Sequence, residues 1–244
     1  YAAIKREDRE AMVLGCSTAG IDTAFIESVM KAGAPFDILT IHPYRAALNE
    51  TVFIHELKRA HEVAGRRPVW ITEMGWPTAI GEVSEREQAG LVARTYLSAM
   101  ASGVVGSISW YDFRDDGNDP FYNEARFGLL RNDMHPKAGY MALATIGRLL
   151  PRHRVRGSVD LGPGLLAYRF RGSDEDVIAV WSPEEDRTIA VSFASGLRDV
   201  FDAMGQPITG HASNRLCLTL PAGWPVYVVG AAGFKLKPAE LPAR

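Results

Sequence analysis

The sequence predicts an α/β region of parallel strands followed by a small antiparallel β region. Strand-like and helix-like segments alternate through the first 150 residues. After Pro151 the pattern changes to short, closely spaced strands, and the polar and aromatic residues of the first region gather where its strands end. An order β-α-β-α-β-α-β-α needs crossover connections, which implies parallel strands joined by right-handed crossovers.

The elements follow in order. Tyr1 falls inside a helical pattern, and residues 11–14 form a short apolar run closed by Gly15. Residues 21–34 place Phe25, Ile26, Val29 and Met30 at helical spacing. A β-type run over 36–41 precedes a helix over 50–64, with Phe53, Leu57, Ala60 and His61 on one side. Residues 68–72 are β-branched and aromatic, as a strand requires. Ser84 and Glu87 form a capping box that opens a helix over 86–100. A strand over 104–111 and a helix over 136–150 complete the region. Beyond Pro151, strands are predicted at 159–161, 165–169, 177–181, 188–193, 199–202, 216–220 and 226–229. Turns such as Gly162-Pro163-Gly164 and Met204-Gly205 separate them, the pattern of an antiparallel sandwich. The predicted domains are 1–150 and 151–235, with 236–244, containing Pro238 and Pro242, as a loosely held tail.

Composition narrows the function classes. The 244 residues are 47% hydrophobic and 23% charged, with 27 basic and 29 acidic side chains and no basic run. That balance argues against nucleic acid or an anionic membrane as partner. No apolar stretch reaches the roughly 18 residues of a membrane span. Cys16 and Cys217 lie in different predicted domains, each beside apolar residues, and are expected to be small buried side chains. Asp112, Asp115, Asp116, Asn118 and Asp119 form an acidic loop, but Arg114 occupies a ligand position and no Glu closes it. A solvated loop without metal is expected there, and no residue pattern calls for a cofactor.

The chemistry collects at strand ends: Gly15-Cys16-Ser17, His42-Pro43-Tyr44, the run from Thr72 through Glu73 and Trp76 to Pro77, and Ser109-Trp110-Tyr111-Asp112. In a βα-barrel such positions face one common pocket. Four βα units are half of what closure needs, so an open α/β sheet stays as an alternative. A carboxylate, an imidazole, a phenol and two indoles suit a sugar, whose C–H faces stack on aromatic rings while its hydroxyls seek polar groups.

The run Val69-Trp70-Ile71-Thr72-Glu73-Met74-Gly75-Trp76 resembles the nucleophile strand of clan A glycoside hydrolases, particularly those near family 39. Ile41-His42-Pro43-Tyr44 is similar to barrel strand six and Ser107-Ile108-Ser109-Trp110-Tyr111 to strand eight. Phe127-Gly128-Leu129-Leu130 with His135-Pro136-Lys137 resembles the segment that leads into the last barrel helix. The resemblance implies the C-terminal half of a (β/α)8 TIM barrel, strands five to eight, followed by a β-sandwich. It further implies a retaining glycosidase without cofactor or metal. Glu73 would be the nucleophile, Tyr44 its hydrogen-bond donor, and His42 a contact to Glu73 or a substrate hydroxyl. Trp110 would floor the sugar subsite and Trp76 line a neighbouring wall.

In that clan the acid/base is usually a Glu preceded by Asn after strand four. The pairs Asn49-Glu50 and Asn123-Glu124 fall after the strands resembling six and eight. The acid/base is therefore expected upstream of Tyr1. The chain is read as a fragment, a processed product or one piece of a two-chain assembly, partnered by the missing N-terminal half or another copy. The resemblance leans towards a microbial oligo- or polysaccharide outside the cytoplasm. The rival readings are a non-catalytic carbohydrate-binding protein with a glycosidase-like pocket, and an open α/β protein with an unrelated hydrolytic site.

Overall fold

The computed structural model describes residues 1–209 and 214–241. The chain separates into two compact units, one of Tyr1–Trp76 with Ser98–Phe113, the other of Pro77–Leu97 with Arg114–Arg244. The fold is mixed α/β, one parallel sheet and two antiparallel sheets.

The first unit runs α1 (Ala2–Glu7), β1 (Leu14–Ala19), α2 (Thr23–Lys31), β2 (Ile38–His42), α3 (Glu50–Val63), β3 (Val69–Met74) and β4 (Val105–Trp110). Its strands form one parallel sheet in sequence order, β1-β2-β3-β4. Helices α2 and α3 begin where side chains cap them: Asp22 accepts from the Phe25 N–H at 2.9 Å and Asn49 from the Val52 N–H at 3.0 Å. Helix α3 buries Phe53, Leu57 and Ala60, a stripe at spacings of four and three residues. Strand β2 is buried from Ile38 to Ile41, whereas the outer strands β1 and β4 are mostly half-buried or exposed.

The predicted first strand at 11–14 is misplaced. It starts at Leu14 and continues to Ala19, so Gly15-Cys16-Ser17 lies inside the strand and not at its end. Cys16 (φ 81°) and Ser17 (φ 51°) adopt left-handed backbone, and the register with β2 slips between Cys16 and Thr18. A bulge of this kind interrupts the alternation by which a strand is read.

In the second unit, α4 (Glu85–Ser102), whose last turn belongs to the first unit, opens on the predicted capping box. Glu87 accepts the Ser84 N–H at 2.7 Å and Ser84 Oγ accepts the Glu87 N–H at 3.2 Å. The Ser84 bonds hold the Glu87 carboxyl below its usual range. After α5 (Ala138–Leu149) come β5 (Arg154–Ser158), β6 (Leu166–Arg171), β7 (Glu175–Trp181), β8 (Arg187–Ser192), β9 (Leu197–Phe201), β10 (Arg215–Leu220), β11 (Val226–Ala231) and β12 (Lys237–Ala239). They form sheets of order β5-β6-β7-β11-β9 and β10-β8-β12. One apolar core takes residues from both, including Ile178, Val180 and Val228 from the first and Val191, Leu216 and Leu218 from the second.

Three expectations are corrected in this unit. The strand predicted at 159–161 lies at Arg154–Ser158, a sheet-edge strand whose charged residues hide it. The predicted loose tail contains β12, which pairs antiparallel with β8, while Leu236 enters the core at 5% exposure. Pro238 is tolerated there because β12 is an edge strand; Pro242 lies outside the described residues. Cys217 is exposed, since β10 alternates and turns Leu216, Leu218 and Leu220 inward.

Candidate active site

The site is built on the C-terminal ends of β2 and β3. Glu73 stands near the end of β3, its side chain 39% exposed. The Tyr44 hydroxyl donates to its Oε1 at 2.8 Å, and His42 Nδ1 lies 3.6 Å from its Oε2. His42 Nε2 in turn meets Thr72 Oγ1 at 3.0 Å, and Thr72 Oγ1 bonds Thr40 Oγ1.

Simple alternation cannot place Glu73 in this cluster. Thr72 touches Thr40 and His42, so it shares their face, and the next residue should turn away. The register resolves this. Ile71 pairs with Ile108 and Met74 with Trp110, three residues on β3 against two on β4. The extra residue falls at Thr72 and Glu73, and the bulge brings Glu73 to His42 and Tyr44.

Tyr44 is aimed by the turn that follows β2. The His42 carbonyl accepts the Tyr44 N–H at 2.8 Å and the Gly20 N–H at 2.7 Å, folding the chain back sharply after Pro43. Arg45 fastens the turn. Its Nε donates to the Pro43 carbonyl at 3.1 Å, its guanidinium pairs with Glu56 at 3.1 Å, and it lies 4.5 Å over the Phe53 ring.

Trp76 and Trp110 meet as a tilted pair, ring centroids 5.9 Å apart. The Tyr111 N–H donates to the Met74 carbonyl at 2.9 Å and continues the β3–β4 pairing past Trp110. Trp76 is only 4% exposed. Thr40, Thr72 and Arg45 are the partners that the sequence reading missed. Thr40 was legible as the residue two before His42 on the same strand face; Arg45 had no sequence signal.

The acidic loop is not uniformly solvated. Asp115 and Lys137 are fully buried and paired at 2.7 Å. Lys137 Nζ also donates to Thr78 Oγ1 at 2.9 Å and to the Arg126 carbonyl at 3.2 Å, and Asp115 Oδ1 accepts the Gly128 N–H at 2.8 Å. Burial lowers the Lys137 ammonium from its usual range against the pull of Asp115. A Cβ at Gly128 would sit 2.1 Å from the Asp115 nitrogen, so only glycine fits. The Phe-Gly-Leu and Pro-Lys segments noted in the sequence therefore meet through one buried aspartate. No group of three His, Cys, Asp or Glu side chains suited to a metal occurs among the described residues. No described helix is long and apolar enough to cross a membrane.

Comparison with known proteins finds likenesses to glycoside hydrolases. Residues 18–133, which span β2, β3 and β4, match the glycosyl hydrolase catalytic core family. In fold the chain is similar to family 39 and family 30 glycoside hydrolases, the first being the family its strand-end residues suggested. A family 39 glycoside hydrolase from Bacteroides cellulosilyticus WH2 superposes with a TM-score of 0.80 at 27% identity, over 94% of this chain and 53% of that one. A family 39 β-xylosidase from Caulobacter crescentus has a TM-score of 0.60 at 17% identity, over 94% of this chain and 59% of that one. A family 30 endoxylanase from Clostridium papyrosolvens C71 gives 0.61 at 11% identity, over 93% and 57%. At these lower identities the likeness is one of fold. The chain spans a little over half the length of these structures. No curated protein matches the sequence.

Proposed function

We propose that this chain carries the nucleophile of a retaining glycoside hydrolase, with Glu73 in that role. The observation that carries the reading is the Glu73 carboxylate itself. It is half-exposed, set on a bulge at a parallel strand end, and held by the Tyr44 hydroxyl with His42 alongside. Those partners fix the oxygens without neutralising them, as an attacking carboxylate needs. Glu73 attacks the anomeric carbon to form a glycosyl ester as the glycosidic bond breaks, and a second carboxyl protonates the leaving oxygen. That group then takes a proton from water, which releases the sugar with its configuration retained.

The four parallel strands serve as strands five to eight of a (β/α)8 barrel within residues 1–150, and residues 151–235 as a β-sandwich. The incompletely covered outer strands β1 and β4 support this, since strand edges are normally paired or protected. The acid/base belongs to the N-terminal half of the barrel, about 5–5.5 Å from Glu73 in the assembled site. Trp110 floors the subsite and Trp76 backs it, and the substrate is an oligo- or polysaccharide.

Incubation with an activated 2-fluoro glycoside, followed by intact-mass measurement and peptide mapping, tests the assignment in the assembled enzyme. One sugar adduct on Glu73 is expected. An adduct on any other carboxylate would overturn it.

A further inference from the structure

We infer that Thr72 is a positioning residue that fixes the tautomer of His42, so that the imidazole presents an Nδ1–H to Glu73. The inference rests on Glu73 being the functional carboxylate, and it follows from counting protons in the chain Thr40–Thr72–His42–Glu73.

Three contacts link these four side chains: Thr40 Oγ1 to Thr72 Oγ1, Thr72 Oγ1 to His42 Nε2 at 3.0 Å, and His42 Nδ1 to Glu73 Oε2 at 3.6 Å. A neutral histidine and two hydroxyls supply three protons, one for each contact, while an ionised carboxylate only accepts. One assignment fills every contact. Thr40 donates to Thr72, Thr72 donates to His42 Nε2, and the ring proton on Nδ1 faces Glu73. In the opposite assignment, His42 Nε2–H donates to Thr72 and Thr72 to Thr40. The Nδ1 lone pair would then face a carboxylate. The Thr40 proton, on a residue 2% exposed, would have no acceptor within the chain of contacts. A doubly protonated ring brings four protons to three contacts, so one threonine hydroxyl proton, on Thr40 or on Thr72, has no acceptor within the chain of contacts.

The geometry therefore gives the two threonines a purpose that packing alone does not require. They convert a freely choosing imidazole into a donor of fixed direction, as a hydrogen bond at one ring nitrogen sets the proton on the other. Glu73 then receives one donor on each oxygen, Tyr44 at Oε1 and His42 towards Oε2. The 3.6 Å separation is an ion-pair contact longer than a hydrogen bond, and catalytic hydrogen bonds of this kind tighten when substrate binds.

The test is ¹⁵N NMR of the intact protein labelled at histidine, with the His42 signals assigned by their loss in His42→Gln. At neutral pH the neutral ring with Nδ1–H is expected, its Nε2 strongly deshielded. Thr72→Val should move the proton to Nε2 and lower kcat about tenfold with little change in KM, whereas Thr72→Ser should preserve tautomer and rate. A wild-type Nε2–H tautomer or a doubly protonated ring overturns the inference, as does a valine variant that keeps Nδ1–H. If Thr72→Val fails to fold, the wild-type spectrum alone decides. An intact Nδ1–H with no sugar adduct on Glu73 would sink the proposed nucleophile and leave the threonine relay standing.

Discussion

Asp115 and Asp176 in the second unit and Glu73 in the first are held in opposite ways. In the second unit Asp115 and Asp176 are fully buried, and each is met by cations: Lys137 at 2.7 Å for the first, Arg169 at 2.7 Å together with Arg171 for the second. In the first unit Glu73 is 39% exposed, and its nearest partners are a phenol and an imidazole. A buried carboxylate without a cation would carry a heavy desolvation cost, so the structural pairs are made complete. On the proposed reading Glu73 needs its charge and one open approach to attack carbon, and its two partners aim it without cancelling that charge.

The sharpest way to break this contrast is Glu73→Gln. In the assembled enzyme it should lower kcat on the order of a thousandfold or more. The unfolding free energy from denaturant titration should change by less than about 0.5 kcal/mol, because a half-exposed side chain is replaced by its isostere. A large stability loss with activity retained would make Glu73 a structural carboxylate and end the comparison.

Lys137→Met is the mirror experiment. It leaves Asp115 in the interior with Arg126, 3.7 Å away, as its remaining cation, and unfolding free energy should fall by about 3 kcal/mol in urea titration. A change below about 1 kcal/mol would show that the pair organises nothing.

Tyr44→Phe removes the donor to Glu73 Oε1 and keeps the ring. A hydrogen bond to a charged group contributes about 1.5–3 kcal/mol, so kcat should drop roughly ten- to a hundredfold with little effect on melting. An unchanged kcat would mean that Tyr44 does not support the nucleophile.

The smallest effect concerns acid. Burial works to raise the Asp176 carboxyl, but bonds from Arg171, the Gly233 N–H and Arg169 outweigh it and hold it below its usual value. A group depressed in the folded state adds stability that is complete above its unfolded pKa, about 3.9. That stability is lost as pH falls through the lower folded value. Asp176→Asn should therefore flatten the loss of stability below about pH 4, measured by denaturant midpoints across that range. An unaltered slope would assign the acid sensitivity elsewhere.

Much of this was legible in the chain. The capping box at Ser84 and Glu87, the apolar stripe of α3 and the polar residues closing β2 and β3 depend on local spacing, and local spacing is what a sequence displays. Strands β5 and β12 were not. Charged residues fill one, and the other is a three-residue edge strand containing Pro238, so each exists because a neighbouring strand recruits it. The acidic loop misled for the same reason: Asp115 looks like its solvated neighbours until Lys137, 22 positions away, is brought against it.

The sequence by itself determined which residue types stand at the strand ends, Glu73 among them, because strand and helix periods are local properties of the chain. Only the tertiary structure decided that Glu73 faces His42 and Tyr44. Alternation along β3 points it the other way, and the bulge that reverses it exists only in the pairing with β4. The proton order from Thr40 through Thr72 to His42 was equally out of reach, since hydroxyls on two different strands become one chain of donors only when the sheet sets them side by side.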